Sequence, residues 1–496
     1  MISKFSKLFL FNSYSNKLEG FKSIVDGSVN MYLCGPTVYG LAHIGHARSS
    51  VTFDILNRYL RFLGYNVKFI RNYTDVGHLE YDSDDGNDKI QKQALKERLE
   101  PMEIVQKYIN YYREDMDVLN IIRPNIELQA TSYINEQIYN VKSILDKGYA
   151  YEVNGSVYFD IKKYNDYFKS YGKLSGRDIN ELINETRYLN NQAEKRNNID
   201  FALWKKADDK HIMRWNSPWG YGYPGWHTEC VVLSTKYLGN LFDIHGGGYD
   251  LKFPHHECEI AQSNVLNNTN LANYWIHNNL VNIDGKKMSK SLNNYITLQD
   301  LFYNEGNIFT KTFTPMDLRF LFLQTHYRST LSITKDSLES AHKGLMKLMN
   351  TFYYIDEIEY NVEENNVNIN TEKIVSDSLS NIFSELNNDL NTPSVISELF
   401  NISKFINNVR SGSVQLNEIS KELFIKLKSD FKSIIEDVLG LSIKTIDKKL
   451  IGYIINSYKT AKYRNDYTEV DRIREFAKSI NIRFCDLKNS IYIEYI

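Results

Sequence analysis

The chain has 496 residues, of which 42% are hydrophobic and 24% charged, and its formal net charge is −2. This length predicts about three domains or more, and the charge balance excludes a protein that binds nucleic acid through an overall basic surface. No apolar run is long enough to span a bilayer and no leader pattern is recognisable, so we expect a cytoplasmic protein without a membrane partner.

The first predicted elements form a βαβ unit. Residues 30–34 predict a buried strand, apolar residues at helical spacing predict a helix over 46–63, and 67–70 predict the next strand. Gly64 is placed to end the helix. This unit implies a parallel sheet, with a ligand crevice at the carboxyl ends of its strands.

An inserted segment is predicted over residues 129–200. It contains a predicted helix over 133–147 and a β-hairpin over 149–161, which turns at Asn154-Gly155. Strand patterns then resume at 201–204 and 241–245.

The chain beyond about residue 310 predicts helices. An acidic, asparagine-rich stretch over 356–372 predicts a loop between two of them. A helix over 470–477 and a β-hairpin over 482–495 are predicted near the end of the sequence.

Two short motifs lie where such a fold would bind a nucleotide. His43 and His46 fall at the start of the first predicted helix, where free backbone N–H groups and the helix dipole favour phosphate. Between them, Gly45 lets an adenine ring approach the backbone. Lys287 and Lys290 lie in a later basic loop and can neutralise the β- and γ-phosphates of ATP.

Either motif alone is weak, because an HxxH pair is more often incidental and a lysine-rich loop is usually just solvated. Their order and their positions on matching elements predict an enzyme that transfers AMP to a carboxylate, where donors placed in advance stabilise the charge that builds on phosphate. Gly247, in a run of three glycines after the strand at 241–245, and Asp250 are further candidates for the nucleotide side.

The four cysteines are widely spaced, which excludes a disulfide framework and favours metal or catalytic roles. Cys34 follows the first predicted strand, and Cys230 lies in a later segment. His255 and Glu259 are four residues apart, so both side chains lie on one face of a predicted helix. These four residues are the candidate metal ligands.

Two alternatives to this ligand set stay open. Cys258 in place of Glu259 would give a Cys₃His site, which is typical of structural zinc. His256 is an alternative to His255. A carboxylate ligand is unusual in a closed structural site, and this favours the set with Glu259 for a site that admits a substrate atom.

These motifs resemble those of the class I aminoacyl-tRNA synthetases, with HIGH at 43–46 and KMSKS at 287–291. More narrowly, the chain is similar to the cysteinyl-tRNA synthetases over nearly its whole length, and more specifically before residue 350 than after it. The segments that carry this similarity are 34–39, 71–75, 224–230 and 245–259.

The resemblance implies an α/β fold with a Rossmann-like parallel-sheet catalytic domain, an inserted connective domain, a C-terminal helical bundle and a small mixed α/β anticodon-binding domain. The expected domains are 1–128 and 201–310 for the two halves of the catalytic domain, 129–200 for the connective insertion that binds the acceptor end, 311–350 for a stem-contact region, 351–445 for the helical bundle and 446–496 for the anticodon-binding domain.

The resemblance also implies the reaction, which is ligation of L-cysteine to tRNA(Cys) through a cysteinyl-adenylate. It assigns one Zn²⁺ per chain to the same four candidate ligands, with Mg²⁺ accompanying ATP, and we expect a monomer. An apolar pocket separates near-isosteres such as cysteine and serine by only about 100-fold. A zinc ion prefers a soft thiolate to a neutral hydroxyl, so the metal would select the substrate.

The candidate pocket for cysteine comprises Tyr39, Thr74, Trp226 and His227, although core packing explains Tyr39 nearly as well. Asp75 either holds the amino group of the substrate or caps local structure. The chain departs from the family pattern at His78 and the acidic stretch 82–88, for which we expect a solvated loop rather than an extra metal ligand.

Contacts with tRNA are inferred mainly from the resemblance. Tyr492 and Tyr495 are candidates for stacking on unpaired anticodon bases. Basic residues of the same region could contact phosphate, although a solvated helical face explains them equally well: Lys448, Lys449, Lys459, Lys462, Arg464, Arg472 and Arg474.

Two other functions compete with this interpretation. One is a ligase that adenylates cysteine but passes it to an amino-sugar, and the long C-terminal region disfavours it. The other is a non-catalytic RNA-binding zinc protein, which the intact motif at 287–291 disfavours.

Overall fold

The computed structural model describes residues 7–79, 88–179, 181–182, 194–209, 211–289, 292, 294–304, 306–361, 366–443, 446–486 and 491–496. The chain divides into two compact units. Unit 1 comprises Met1–Thr312, His326–Ile333 and Asn387–Leu390, and unit 2 comprises Phe313–Thr325, Thr334–Leu386 and Asn391–Ile496. None of the helices within the described ranges is long and apolar enough to cross a membrane.

Unit 1 combines strands and helices. Its strands are β1 (Phe9–Asn12), β2 (Lys17–Gly20), β3 (Ser28–Leu33), β4 (Asn66–Tyr73), β5 (Ile126–Gln129), β6 (Ala150–Val153), β7 (Ser156–Phe159), β8 (Phe201–Lys206), β9 (Trp215–Ser217), β10 (Gly220–Pro224), β11 (Phe242–Gly248), β12 (Ala272–Asn278), β13 (Val281–Ile283), β14 (Lys286–Lys287) and β15 (Leu331–Ile333). Its helices are α1 (Ile44–Phe62), α2 (Lys89–Glu97), α3 (Pro101–Val118), α4 (Ile134–Asp146), α5 (Ile161–Phe168), α6 (Trp226–Leu238), α7 (His255–Asn267) and α8 (Leu298–Tyr303).

Five parallel strands form the central sheet of unit 1, in the order β12-β11-β3-β4-β5. The direction of the strand order reverses between β3 and β11. Ligands of open parallel sheets bind at such a reversal, outside the carboxyl ends of the strands. Met31 and Tyr32 of β3 and Ile244 of β11 are fully buried, so the sheet is covered at this point.

The predicted βαβ unit is confirmed, with shifted boundaries. β3 begins at Ser28 and β4 continues to Tyr73, so both strands are longer than predicted. α1 begins at Ile44 rather than at His46, because the side chain of His43 accepts a hydrogen bond from the backbone of Gly45 and caps the helix.

A second sheet of five strands has the order β6-β7-β8-β10-β9. The predicted hairpin is formed by β6 and β7, and its turn at Asn154 and Gly155 has φ angles of 53° and 86°, the left-handed region that such a turn requires. β8, which we predicted to begin the second catalytic half, pairs instead with β7, with Phe201 opposite Phe159. The inserted sheet therefore continues past residue 200 to β10.

Unit 2 is mainly helical and ends in two antiparallel strands. Its elements are α9 (Pro315–Leu323), α10 (Lys335–Tyr354), α11 (Ile369–Asn387), α12 (Thr392–Ser411), α13 (Lys421–Ser433), α14 (Lys448–Tyr463), α15 (Tyr467–Ser479), β16 (Ile482–Asp486) and β17 (Ile491–Tyr495).

The predicted terminal hairpin is confirmed, with Ile482 opposite Tyr495. The loop predicted over 356–372 ends early, because α11 begins at Ile369. The last two helices and the hairpin share a small apolar core that includes Tyr458.

Candidate active site and metal centre

A cleft of about 850 Å³ lies at the carboxyl ends of β3 and β11. Most of the site residues predicted from the sequence line it. They are Cys34, Tyr39, His43, Gly45, His46, Thr74, Trp226, Cys230, Asp250, His255 and Lys287. His227, Gly247 and Glu259 are buried and are not part of this lining. Lys290 lies outside the described residues.

His43 and His46 stand at the start of α1, where their rings stack with centroids 3.7 Å apart. The backbone N–H of Gly45 donates to His43 Nδ1 at 3.1 Å, and the backbone N–H of His43 donates to His46 Nδ1 at 3.3 Å. Because each Nδ1 accepts a hydrogen bond, each neutral ring carries its proton on Nε2. Both residues line the cleft, so the rings can offer Nε2–H donors to phosphate.

The environment of His46 should make the stability of the protein depend on pH. Burial lowers the pKa of His46 from 6.5 to about 4. Between these pH values the unfolded chain binds a proton that the folded chain does not, so stability is full above pH 6.5 and is lost as the pH falls. The loss should reach about 2 kcal/mol near pH 4.5, less than the shift alone implies because the ring is partly exposed to the cleft.

Urea denaturation of the wild type and of His46→Asn at several pH values between 7 and 4.5 measures this effect. The wild type should lose more stability than the variant over this range. Equal losses in the two proteins would contradict the buried, neutral state of His46.

The second motif is held beside the first by the segment that follows it. The backbone N–H of Ile44 donates to the carbonyl oxygen of Ile296 at 3.4 Å. The amide of Asn294 accepts from the backbone N–H of Ser289 at 2.8 Å and donates to the carbonyl oxygen of Lys287 at 3.0 Å. The loop is thereby fixed with Lys287 on the wall of the cleft.

Gly45 and Gly247 are required by the packing of the protein itself. A Cβ on Gly45 would lie 2.9 Å from His43 Cε1, and a Cβ on Gly247 would lie 2.8 Å from His256 Cε1. Each glycine leaves room for a histidine ring. The part of both glycines in binding the nucleotide stays a prediction.

Two overlapping groups of residues have ligand atoms within 4.8 Å of one another and could hold a metal ion. The first set is Cys34, Cys230, His255 and Glu259, and the second set is Cys34, His245, His256 and Glu259. Within the first set, the Sγ atoms of Cys34 and Cys230 are 3.5 Å apart, and Glu259 Oε1 lies 3.2 Å from His255 Nε2. The first set contains the four residues predicted from the sequence.

Access to the cleft favours the first set. His245 Nε2 is bonded to Glu259 Oε2 at 2.8 Å. His256 Nδ1 is bonded to His277 Nε2 at 2.8 Å, but His256 Nε2 lies 3.3 Å from Cys34 Sγ, so hydrogen bonding alone does not separate the two sets. Three members of the first set line the cleft, whereas Cys34 alone does so in the second set. A ligand that enters the cleft therefore meets the first set, with His245 orienting Glu259 from behind.

The donor chemistry of the first set suits zinc. Burial raises the pKa of Cys230 to about 12 and raises the pKa of Cys34 well above its usual value, so both thiols are protonated at neutral pH without a cation. Burial also lowers the pKa of His255, which keeps the imidazole in the neutral form that binds metal. Two thiols, an imidazole and a carboxylate form a donor set that zinc accepts, and a divalent cation would favour the thiolates.

Cys258, the alternative to Glu259, has a different partner. Its side chain is buried and its Sγ lies 3.7 Å from the hydroxyl of Tyr171. Cys258 belongs to neither of the two ligand sets found among the described residues. His256 belongs to the second set, and it is therefore the stronger of the two alternatives.

Trp226 and His227 both contact the first set. The ring of Trp226 stacks on His255 with centroids 4.4 Å apart and forms a wall of the cleft beside the ligands. His227 Nδ1 lies 3.0 Å from His255 Nδ1 and is therefore placed to orient that ring rather than to contact a substrate directly.

Thr74 and Asp75 directly follow β4, and Thr74 lines the cleft whereas Asp75 does not. The hydroxyl of Thr74 donates to the buried carboxylate of Glu229. Asp75 accepts hydrogen bonds from the backbone N–H of Thr131 at 2.9 Å and from its hydroxyl at 2.6 Å. Of the two roles considered for Asp75, this geometry matches the structural cap.

Comparisons with known proteins show the family to which the chain belongs. The family model described as the tRNA synthetases class I (C) catalytic domain matches residues 20–343, and the DALR domain matches residues 383–444. The cysteine–tRNA ligase of Bacteroides fragilis is 47% identical over 492 residues, which cover 97% of this chain and 98% of the relative. The chain belongs to the cysteine–tRNA ligase family.

Further members of this family show the same extent of similarity. The enzyme of Cytophaga hutchinsonii is 46% identical, with 98% of both chains covered, and that of Porphyromonas gingivalis is 45% identical, with 97% of both covered. Among solved structures, Mycobacterium tuberculosis methionyl-tRNA synthetase in complex with methionyl-adenylate aligns with a TM-score of 0.57, 12% identity, and coverage of 83% of this chain and 92% of that one. At this low identity, the similarity to the methionyl-tRNA synthetase shows only that the two proteins share a fold.

Sequence reasoning missed three residues of this cysteine–tRNA ligase site. His245 contacts Glu259, and Glu229 accepts from Thr74, although neither was a candidate. The expectation of a solvated loop is wrong for His78, which is 8% exposed and stacks on Trp226 with centroids 4.1 Å apart. Most of the acidic stretch 82–88 lies outside the described residues.

The aromatic candidates for anticodon contact are engaged within unit 2. Arg410 lies 3.2 Å from the centroid of the Tyr492 ring, and the side-chain amide of Asn350 exchanges two hydrogen bonds with the backbone of Tyr495. These tyrosines thus attach the terminal hairpin to the helices. Stacking on bases stays a prediction.

Several of the basic candidates are paired with acids. Lys462 lies 2.9 Å from Asp486, and Arg472 lies 2.8 Å from Glu469. Arg474 lies within 3.5 Å of both Asp471 and Asp486. Their charges are therefore partly neutralised in the folded unit.

Proposed function

We propose that this chain ligates L-cysteine to tRNA(Cys) in two steps. In the first step the carboxylate of cysteine attacks the α-phosphorus of ATP, which gives cysteinyl-adenylate and pyrophosphate. In the second step the cysteinyl group passes to the 3′ end of the tRNA, and AMP is released. The observation that carries this proposal is the placement of the first ligand set in the same cleft as the two nucleotide motifs.

The first set is proposed to hold one Zn²⁺ and to select the amino acid. When bound, the ion would supply a preference for thiolate sulfur over a hydroxyl group, which separates cysteine from serine. Cys34, Cys230 and His255 face the cleft, so they would fix the ion where a substrate sulfur can arrive. Trp226 forms the wall of the cleft beside these ligands through its stacking on His255.

The nucleotide end is proposed to work through fixed donors and charge. The Nε2–H groups of His43 and His46 are held in one orientation by backbone hydrogen bonds, so little reorganisation is needed when phosphate charge develops. Lys287 supplies positive charge from the opposite motif, and Lys290 of the same loop is assigned the same role. Mg²⁺ accompanies ATP.

The full length of the similarity supports tRNA as the acceptor. The relatives are matched over nearly their whole length, and the DALR match lies in the helical region. This extent favours a tRNA ligase over a ligase with an amino-sugar acceptor, for which we expect only the catalytic half.

Two assays on the zinc-loaded protein test this function. Cysteine-dependent exchange of pyrophosphate into ATP should proceed without tRNA, and kcat/KM for serine should be lower by at least about 10⁴-fold. Charging should then occur with a tRNA(Cys) transcript and fail with a tRNA of another specificity. Similar exchange with serine, or exchange without charging of either tRNA, would contradict the proposal.

A further inference from the structure

A lysine outside both nucleotide motifs faces the cleft. Lys89, the first residue of α2, lines the cleft together with Tyr39, His78 and Trp226. Its Nζ lies 2.8 Å from His78 Nε2 and 5.8 Å from the centroid of the Tyr39 ring. Of the described residues that line the cleft, Lys89 and Lys287 are the two lysines, and no arginine is among them.

The imidazole of His78 is fixed by contacts on both nitrogens and on one face. A lysine ammonium can only donate, so Nε2 accepts from Lys89, and the proton on Nδ1 is donated to the hydroxyl of Thr37. The ring is buried and stacks nearly parallel on Trp226, with an interplanar angle of 11°. A neutral ring held in this way keeps the ammonium of Lys89 in one position.

The same wall of the cleft leads from Lys89 to the first ligand set. Trp226 stacks both on His78, with centroids 4.1 Å apart, and on His255, with centroids 4.4 Å apart. The lysine and the metal ligands are therefore joined through three packed rings. An amino acid held by its sulfur at the first set has its carboxylate carbon three bonds from that sulfur.

We propose that Lys89 binds the α-carboxylate of the substrate cysteine and that His78 is the residue that positions it. This rests on the proposed function, because the sulfur of the substrate must lie at the first set. Lys287 belongs to the loop assigned to the phosphates of ATP, which leaves Lys89 as the cation of the amino-acid side. An ammonium at the carboxylate would orient it for attack and reduce its repulsion from the phosphate.

The test compares cysteine with cysteamine, which has the thiol and the amine but lacks the carboxylate. Calorimetry on the zinc-loaded protein should show that Lys89→Met weakens binding of cysteine by roughly 10- to 100-fold. Binding of cysteamine should change by less than about threefold, because the variant removes a partner that cysteamine does not use. Lys92→Met, at an exposed lysine of the same helix, is the matched control and should bind both ligands as the wild type does.

A second variant tests the role of His78. His78→Phe keeps a ring against Trp226 but removes the acceptor for Lys89, so it should weaken cysteine binding by a smaller factor than Lys89→Met and leave cysteamine unaffected. His78 is then a positioning residue, and KM for cysteine in pyrophosphate exchange should rise more than kcat falls.

Three results would overturn this assignment. Equal losses for cysteine and cysteamine, with reduced zinc content, would show that Lys89 supports the structure of the site. An increased KM for ATP with unchanged binding of cysteine would place Lys89 on the nucleotide side. Unchanged binding of both cysteine and cysteamine would show that Lys89 takes no part in recognising the substrate. Failure of the proposed function is a separate result, because the wild type itself would then bind cysteine no better than serine.

Discussion

Replacing Cys230 with alanine should remove the metal and cysteine activation together. Cys230 is a ligand only in the first set, so the variant should retain well under one zinc per chain. We expect kcat/KM for cysteine in pyrophosphate exchange to fall by at least about 10³-fold, because the site loses both a ligand and the means of binding the substrate sulfur. Elemental analysis of the purified protein and the exchange assay measure the two effects.

The structure offers matched controls for this variant. Cys258 is as deeply buried as Cys230, each 1% exposed, but it lies against Tyr171, so Cys258→Ala should keep the zinc and the preference for cysteine over serine. His256→Asn should also retain zinc, with a loss of at most about 100-fold in metal affinity, as expected for a residue behind the ligands. Zinc retained in Cys230→Ala but lost in His256→Asn would assign the metal to the second set.

The sequence predicts which metal ligands lie together only where those ligands belong to the same helix or strand. The spacing of His255 and Glu259 places them on one helical face, and the structure brings them together. The contact between His245 and Glu259 was not predictable, because it joins β11 to α7 and depends on how the helix packs on the sheet. The periodicity of a sequence predicts which residues share a face of one helix or strand, but it does not predict which other elements pack against that face.

His78 shows the same limit in a loop. It follows Gly77 and comes shortly before the acidic stretch 82–88, a pattern that is typical of a solvated segment. The ring is buried because Trp226, far along the chain, supplies a flat apolar surface for it. The same limit applies to β8. Its sequence pattern predicts a strand, but its pairing with β7 is a long-range contact that the pattern does not predict.

The fold class itself was predictable because it follows from periodicity and turn chemistry. The βαβ unit implied a parallel sheet, and the reversal of strand order then fixed where ligands bind. The hairpin at Asn154-Gly155 followed from residues that accept positive φ angles. Helix ends were less well predicted, since α1 is extended by an unusual histidine cap at His43.

The second large effect is expected at Lys287. Lys287→Met should lower kcat of pyrophosphate exchange by about 10²- to 10³-fold at saturating ATP and cysteine, the usual cost of removing one preplaced group that stabilises developing charge. KM for ATP should rise by less than about tenfold, because the charge on the transferred phosphate is greatest in the transition state. Steady-state exchange kinetics with each substrate varied in turn separate the two parameters.

Lys286 is a demanding control for this prediction. The two lysines are neighbours in β14, so their side chains point to opposite faces of the strand, and of the two only Lys287 lines the cleft. Lys286→Met removes the same charge from the same loop and should change kcat by less than about threefold, because a solvated charge that does not face the phosphates is screened by water. A comparable fall in both variants would mean that the loop acts through its overall charge, and a rise in KM alone for Lys287→Met would limit this lysine to binding ATP.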